Sequence, residues 1–167
     1  MKLSTFAIKA WRIFSMIAVF GISVYSYSLF ATDVGVHFNS AGQADEFMTK
    51  SDIFYILAGL IVVNNVLLPA LGKQLLKIPT NLLPIPHQEI WEDQRDNLEE
   101  HIQNWIYALV AMINTSIAMT VFALATVNNE FKYKIGDLEG LFYIVVVSLL
   151  FIIIALPIRL FIKPRQA

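Results

Sequence analysis

Four long stretches of the chain contain no charged residue, and shorter stretches rich in charge separate them. The uncharged runs are 13–32, 53–72, 102–129 and 140–158. A bilayer core about 30 Å thick is spanned by roughly 20 helical residues, because each residue of an α-helix advances about 1.5 Å. Core helices of a water-soluble bundle would keep charges on an outer face, which these runs lack. The pattern therefore predicts four membrane-spanning helices.

The predicted fold is an all-α, four-helix integral membrane protein in which residues 1–167 form a single membrane domain. Composition agrees, because 57% of the residues are hydrophobic and the mean hydropathy is +0.62, well above the values of soluble domains. The expected transmembrane helices are 10–31, 53–72, 103–127 and 140–162, with outer loops at 32–52 and 128–139 and an inner loop at 73–102.

The distribution of basic residues predicts the orientation of these helices. Lys and Arg concentrate on the cytoplasmic side of membrane proteins. One predicted side holds Lys2, Lys9, Arg12, Lys73, Lys77, Arg95, Arg159, Lys163 and Arg165, and the other holds Lys50, Lys132 and Lys134. Tryptophan favours the headgroup level, and Trp11, Trp91 and Trp105 fall near the predicted inner boundary. We therefore expect both termini in the cytoplasm.

Two asparagines lie inside the predicted membrane-spanning helices at the same depth. Asn65 precedes Lys73 by eight residues and Asn114 follows Trp105 by nine, so each is expected roughly 12 to 14 Å from the inner boundary. An unpaired polar side chain in hydrocarbon costs several kcal/mol. The sequence therefore predicts an interhelical polar pair between Asn65 and Asn114. The alternative is a polar permeation path, with Asn64 and Ser148 as further members.

The inner loop carries a strongly acidic segment that is predicted to be helical and to lead into the third transmembrane helix. Residues 89–104 contain six acids and one base, Arg95. An anionic membrane surface repels such a helix. We expect a partner-facing helix with apolar Trp91, Leu98 and Ile102 and acidic Glu92, Asp96 and Glu99. The alternative is a solvated helix start, favoured by the helix dipole and the Arg95–Glu99 spacing.

The first outer loop contains candidate binding residues and signals for a turn and a helix start. His37, Asn39 and Asp45 form the candidate binding set, and 40–42 is a turn signal. Ser51 or Asp52 is expected to cap the second transmembrane helix. The alternative to binding is a hydrogen-bonded loop that closes the outer ends of two helices.

Several classes of chemistry find no support in the sequence. The absence of cysteine excludes disulfides and thiolate metal sites, and His87, Glu89, Glu100 and His101 lack the HExxH spacing of a zinc site. The net charge is −1 without a basic patch for nucleic acid. No acid, lysine or histidine lies near a predicted helix centre, which argues against a pump. We therefore expect no catalytic residues, metal or cofactor, and no enzyme activity.

The segments HFNSAGQADEFMTKSDIF and IPTNLLPIPHQEIW resemble the bacterial membrane family called domain of unknown function 1648. The family has the pattern His-Phe-Asn, two residues, Gly, two residues, Asp, and an Ile-Pro segment followed by Tyr-Trp. The matching positions are His37, Phe38, Asn39, Gly42, Asp45, Lys50, Ile85, Pro86 and Trp91. Gly35 stands in place of the family's proline and Ile90 in place of its tyrosine. The resemblance covers about residues 10–105 and implies a relationship to the front part of SdpI-type immunity and signalling proteins.

These observations lead to a function through protein contacts in the bacterial cytoplasmic membrane. The preferred hypothesis is a non-enzymatic protein that contacts lipid and either another membrane protein, as an accessory subunit, or a second copy of itself. The resemblance implies an alternative, an immunity or sensing protein whose outer loop recognises a toxin or peptide. A small transporter or channel is the third hypothesis.

Overall fold

The computed structural model describes residues 2–129, 136 and 139–162, of which Glu139 only as backbone. The helices are α1 (Leu3–Leu29), α2 (Lys50–Val62), α3 (Leu68–Leu75), α4 (Gln88–Asp93), α5 (Arg95–Asn128) and α6 (Glu139–Phe161). A π-helical turn, Val63–Leu67, joins α2 to α3, and a 3-10 turn forms at Thr80–Leu82; the strands are β1 (Asp33–Phe38) and β2 (Ala44–Thr49). Most of the predicted outer loop 128–139, including Lys132 and Lys134, lies outside the described residues, as do Lys163 and Arg165 near the C-terminus.

Four helices of the described chain are long and apolar enough to cross a membrane, as the four uncharged runs predicted. They are Leu3–Leu29, Lys50–Leu75, Arg95–Asn128 and Gly140–Phe161. The first three helices begin before the predicted first residues, 10, 53 and 103. The reason is that segments with charged residues extend each helix beyond its uncharged run. This largely helical architecture is compatible with an all-α, multi-pass membrane protein.

Helix α5 is the centre of the bundle. In its most apolar stretch 44% of the residues are buried, against 6% for α6. It packs chiefly against α1, and then against α6, α3 and the hairpin. Buried alanines recur along it every seven residues, at 111, 118 and 125, and small residues of this kind let helices approach closely. The opposing stripe of α1 is also small and polar, with Thr5, Ser15 and Ser26 buried.

The other helices present large apolar side chains outward. Phe14 and Val24 of α1 are both 71% exposed, as is Tyr55 of α2, and Phe151 of α6 is 74% exposed. Such faces in water would be contiguous apolar patches of a kind that soluble monomers avoid. Their exposure is compatible with contact to lipid.

The segment predicted as the first outer loop, 32–52, forms an antiparallel β-hairpin, so the expected all-α fold has a small strand component. β1 pairs with β2 from Asp33 opposite Thr49 to Phe38 opposite Ala44. Alternating β-branched and aromatic residues in β1, Val34, Val36 and Phe38, favour a strand. The turn falls at the predicted signal, where Gly42 has a φ of +77°. Glycine adopts this left-handed conformation without steric cost.

Helix α2 is capped by Thr49 rather than by the expected Ser51 or Asp52. The Thr49 hydroxyl accepts a hydrogen bond from the backbone N–H of Asp52 at 3.2 Å and donates to its carboxylate at 2.8 Å. The helix therefore begins one residue after the strand ends, and the reciprocal bonds resemble a capping box.

The two ends of the bundle differ. The hairpin end consists of β1, β2, the C-terminal ends of α1 and α5 and the start of α2. Phe30, Val34, Ile53, Val121 and Ala125 form one buried cluster there. The loop end consists of residues 76–94, the first turn of α1 and the last turns of α6. Leu83, Trp91, Leu98 and Leu160 form a buried cluster there, and Thr5 of α1 bonds to Glu100 and Asn104 of α5.

Candidate functional site

Three asparagines from two helical segments meet in the interior of the bundle. Asn65 and Asn114 exchange hydrogen bonds, with Asn65 Nδ2 donating to Asn114 Oδ1 at 2.8 Å and Asn114 Nδ2 donating to Asn65 Oδ1 at 2.9 Å. Asn64 Nδ2 donates to Asn114 Oδ1 at 2.8 Å and to the backbone oxygen of Val110 at 3.0 Å. The structure thus brings the predicted pair together and adds Asn64 to form an asparagine cluster.

The π-helical turn, Val63–Leu67, contains both Asn64 and Asn65. The N–H of Leu68 bonds to the oxygen of Val63, five residues back. Consecutive side chains of a regular α-helix point in different directions, yet here both reach the same oxygen of Asn114. Single π-helical turns within α-helices are rare and are frequent at functional sites. The distortion coincides with the asparagine cluster.

The asparagine cluster is uncharged and largely buried, with only Asn65 partly exposed. Asn114 is fully buried and Asn64 is 2% exposed. Ser15 of α1 lies at the edge, 3.5 Å from Asn114 Nδ2. Within the described part of the chain, Asn64 Oδ1 is buried without a hydrogen-bond partner. Amides do not titrate near neutral pH, so this cluster joins helices and has no group that could take up or release a proton.

The candidate binding residues of the outer segment hold the hairpin together. His37 Nδ1 contacts Asp45 Oδ1 at 2.5 Å across the two strands. Asn39 Oδ1 accepts hydrogen bonds from the backbone N–H groups of Ala41 and Gln43, at 2.9 and 3.0 Å. Such side-chain bonds to nearby backbone are typical of turns. Asn39 is therefore committed to the turn, whereas His37 and Asp45 are exposed and paired with each other.

Histidine 37 is more basic than an ordinary histidine. The pKa of His37 is raised from 6.5, first by the hydrogen bond to Asp45 and second by the negative charge of that carboxylate, with a smaller contribution from Glu46. A nearby carboxylate favours the charged imidazolium. The cross-strand contact therefore becomes an ion pair when His37 is protonated.

Asn128 of α5 forms hydrogen bonds to the hairpin, beside the apolar contact of Val34 with Val121 and Ala125. Its Oδ1 accepts from the Gly35 N–H at 2.7 Å, and its Nδ2 donates to the Gly35 oxygen at 2.9 Å. The amide thus pairs with β1 as a neighbouring strand would. A proline at position 35, as in the family pattern, would lack the N–H that this contact uses. A β-carbon there would also lie 2.6 Å from Cβ of Ala44.

At the loop end the structure corrects the predicted partner-facing helix. The segment is two helices, α4 and the start of α5, which meet at Gln94. Trp91 and Leu98 are fully buried and Ile102 is 4% exposed, all within one cluster of the chain itself. These three apolar side chains therefore cannot face a partner, because Leu83, Leu160 and Ile106 already cover them.

The acidic residues of the same segment do remain on the surface. Glu92 and Asp96 are exposed, and Glu99 is half-buried and pairs with Arg95 at 2.8 Å. We call the surface formed by the four exposed carboxylates of this segment the acidic corner. Its members are Glu89, Glu92, Asp93 and Asp96. None of the ion pairs found among the described residues includes any of them.

Arg95 fixes the acidic corner to the rest of the loop end. Its guanidinium donates to the Thr80 hydroxyl at 3.0 Å and to the backbone oxygen of Leu76. Trp91 Nε1 donates to the oxygen of Leu160 in α6, at 3.4 Å. The exposed carboxylates are thus carried by a backbone that is tied to α3, to the 3-10 turn and to α6.

Sequence reasoning missed three structural residues. Ser15 approaches Asn114 of α5, and Asn128 bonds to Gly35 of β1. No spacing rule predicts these contacts, because the pairing of distant segments is not evident from a single uncharged run. Asn64 was assigned only to the alternative permeation path, since a regular helix would not direct two adjacent amides to one partner. The described residues contain no group of three His, Asp or Glu side chains that could hold a metal ion.

Comparisons with protein-family models, with curated proteins and with solved structures found no match to this chain.

Proposed function

We propose that this chain is a non-enzymatic membrane protein that works through protein contacts, with the acidic corner as the contact surface. The observation that carries the proposal is the combination of exposed carboxylates and a rigid backbone. Glu92 and Asp96 are exposed, while Trp91 and Leu98, which flank them in the sequence, are fully buried. A surface held in place before binding loses less entropy on association than a mobile segment does.

The charge of the acidic corner favours a protein over lipid as the occupant. Anionic headgroups repel carboxylates and attract Lys and Arg. A basic surface on a partner protein is complementary, and such complementarity steers association and selects partners. The proposed role is an accessory subunit of a membrane complex, and self-association is its variant.

The proposed setting is the bacterial cytoplasmic membrane, with both termini and the acidic corner in the cytoplasm. The excess of Lys and Arg at the loop end supports this orientation through the positive-inside rule. Lys2, Lys73 and Lys77 are described members of that excess, and Lys50 lies at the hairpin end.

Cross-linking in native membranes tests the proposed contact. Glu92→Gln with Asp96→Asn removes two exposed charges, and Asp33→Asn with Glu46→Gln is the matched control at the hairpin end, where both acids are also exposed. We expect a discrete cross-linked complex for the natural chain and the control, and its loss in the first variant. An unchanged complex in the first variant, or only monomer in the natural chain, would contradict the proposal.

A second candidate is recognition of a peptide or toxin at the hairpin, in line with the family resemblance. One observation favours it: β2 pairs only with β1 among the described strands, and Phe47 in β2 is 60% exposed. An extended peptide can add to an uncovered strand edge. Cells with Phe47→Ser should then lose protection against the peptide, and unchanged sensitivity of cells lacking the gene would exclude this role.

A transporter or channel is the least supported of the three functions. It needs a wet path past Asn64 and Asn114, yet these side chains are almost completely buried and bonded to each other. Such burial supports interhelical hydrogen bonds as their role. Solute flux into proteoliposomes above that of empty vesicles would reverse this ranking.

A further inference from the structure

Two neighbouring depressions lie on the surface of α5 near the loop end. The larger has a volume of about 330 Å³ and lies between α1 and α5. Its lining residues are Lys9, Arg12, Ile13, Met16 and Tyr107. The smaller lies between α3 and α5, and Lys73, Gln103 and Tyr107 are among its lining residues. Tyr107 lines both depressions, so they adjoin each other on α5. We call the two together the α1–α3 groove.

Three basic side chains from two different helices line the α1–α3 groove. Lys9 and Arg12 come from α1, and Lys73 comes from the last turn of α3. Within the described chain, no ion pair includes any of the three. The two acids that most closely precede Gln103 in the sequence of α5 are both bonded elsewhere: Glu99 pairs with Arg95, and Glu100 is bonded to Lys2 and to the hydroxyl of Thr5. The groove is therefore positively charged, and no acid of the described chain pairs with its cations.

Tyr107 holds the centre of the groove in place. The guanidinium carbon of Arg12 lies 4.3 Å from the centroid of the Tyr107 ring, which is a cation–π contact. Gln103 Nε2 donates to the Tyr107 hydroxyl at 3.3 Å. The Arg12 side chain is thus supported at a defined position instead of being free in solvent.

Apolar side chains continue the groove away from the loop end. Ile13 and Met16 follow Arg12 along α1 and are 55% and 38% exposed. On the other side Pro69 and Ile106 line the smaller depression. The groove therefore has cations at one end and an apolar floor at the other, which is the polarity of a phospholipid.

We propose that the α1–α3 groove binds an anionic glycerophospholipid, with its phosphate between Arg12, Lys9 and Lys73 and an acyl chain along Ile13 and Met16. Basic pockets between membrane helices bind anionic headgroups. The site goes beyond the proposed function at the acidic corner, because a different surface with the opposite charge forms it. Its failure would leave that function untouched.

Thermal unfolding of the purified chain in a neutral detergent tests the proposal. The probes are phosphatidylglycerol, phosphatidylcholine and glycerol 3-phosphate, the last representing a headgroup without acyl chains. We expect phosphatidylglycerol alone to raise the unfolding temperature in a saturable manner, because the site needs both a net negative charge and an acyl chain. Equal shifts with phosphatidylglycerol and phosphatidylcholine, or the full shift with glycerol 3-phosphate, would overturn the proposal.

Two variants identify the site. Lys9→Gln with Lys73→Gln removes two exposed cations, and Lys77→Gln is the control, an exposed cation of the loop end that is not among the lining residues. Each basic residue near an anionic lipid surface contributes about 1 kcal/mol to the free energy of binding. The double variant should therefore bind phosphatidylglycerol roughly 30-fold more weakly. The control should bind it as the natural chain does.

Native mass spectrometry gives a second readout that does not depend on the variant's stability. The natural chain and Lys77→Gln should retain one phosphatidylglycerol, and the double variant should release it. Equal retention by the double variant and the natural chain would contradict the site.

Discussion

Asn114 joins three segments of the bundle through one side chain. Its oxygen accepts from both Asn64 and Asn65, and its nitrogen donates to Asn65 and lies 3.5 Å from Ser15 of α1. Hydrogen bonds between membrane helices contribute about 0.6 kcal/mol on average, with a maximum near 1.7. The asparagine cluster therefore has a modest effect on stability but a strong effect on register, because only one helix alignment pairs these amides.

Replacing Asn114 with Leu should lower the free energy of unfolding by about 2 kcal/mol, since several partners lose their bonds together. Thr115→Val is the matched control, because the Thr115 hydroxyl bonds only within its own helix, to Ala111. Titration of the reconstituted chain with a denaturing detergent measures both. Equal stabilities of the two variants would show that the amide bonds between helices contribute nothing.

His37 gives the hairpin a pH dependence whose sign follows from its raised pKa. The contact with Asp45 stabilises the hairpin fully below the ordinary histidine pKa of 6.5 and is lost as the pH rises through the higher folded value. NMR titration of the imidazole should show a pKa above 6.5. Asp45→Asn should bring it back to the ordinary value, whereas Glu46→Gln should retain most of the rise. A pKa unaffected by Asp45→Asn would contradict the pairing.

At the scale of elements, long uncharged runs could be predicted as helices because one solvent, lipid, imposes one pattern along some 20 residues. The hairpin was missed because its short strands carry the weaker alternation of Val34, Val36 and Phe38 within a segment rich in polar residues. The π-helical turn was missed for another reason: Asn64 and Asn65 leave their regular positions only because Asn114 lies on a neighbouring helix. Such tertiary effects have no local signature.

The docking of the hairpin on α5 depends on the absence of a side chain at Gly35. Gly35→Ala places a β-carbon 2.6 Å from Cβ of Ala44 and 3.3 Å from Asn128 Oδ1, so backbone must shift and stability should fall by about 1–3 kcal/mol. Gly21→Ala is the control, because its added carbon meets nothing within 4 Å. Hydrogen exchange at residues 33–38 should accelerate in the first variant alone. Equal protection in both would contradict the docking.

At the scale of the whole molecule, the four long apolar helices and the Asn65–Asn114 pair could be predicted from the sequence. What covers the apolar face at the loop end could not. Trp91, Leu98 and Ile102 were correctly grouped on one face, but whether a partner or the same chain covers that face depends on α3 and α6 returning to it. A single sequence does not contain that information, because it lies in the packing of distant segments.

The proposed orientation can be tested with single cysteines, because the natural chain has none. Ser40→Cys in the hairpin turn and Asn81→Cys at the loop end both replace exposed residues. A membrane-impermeant maleimide should label the first in intact cells and the second only after the membrane is opened. Labelling of Asn81→Cys in intact cells would reverse the proposed topology.

The partner of α1 is synthesised long after α1 itself. Thr5 bonds to Glu100 and Asn104, and Ser15 approaches Asn114, across 95 to 99 residues of sequence, while α1 touches α2 only lightly. During translation, the first two long helices are therefore made before the partner of Asn64, Asn65 and Thr5 exists, and Ser15 and Asn65 then have only bonds within their own helices, to Arg12 and Ile61. The main contacts of α1 therefore form only once α5 has been made, and the loop end is closed only when α6 follows and accepts the bond from Trp91.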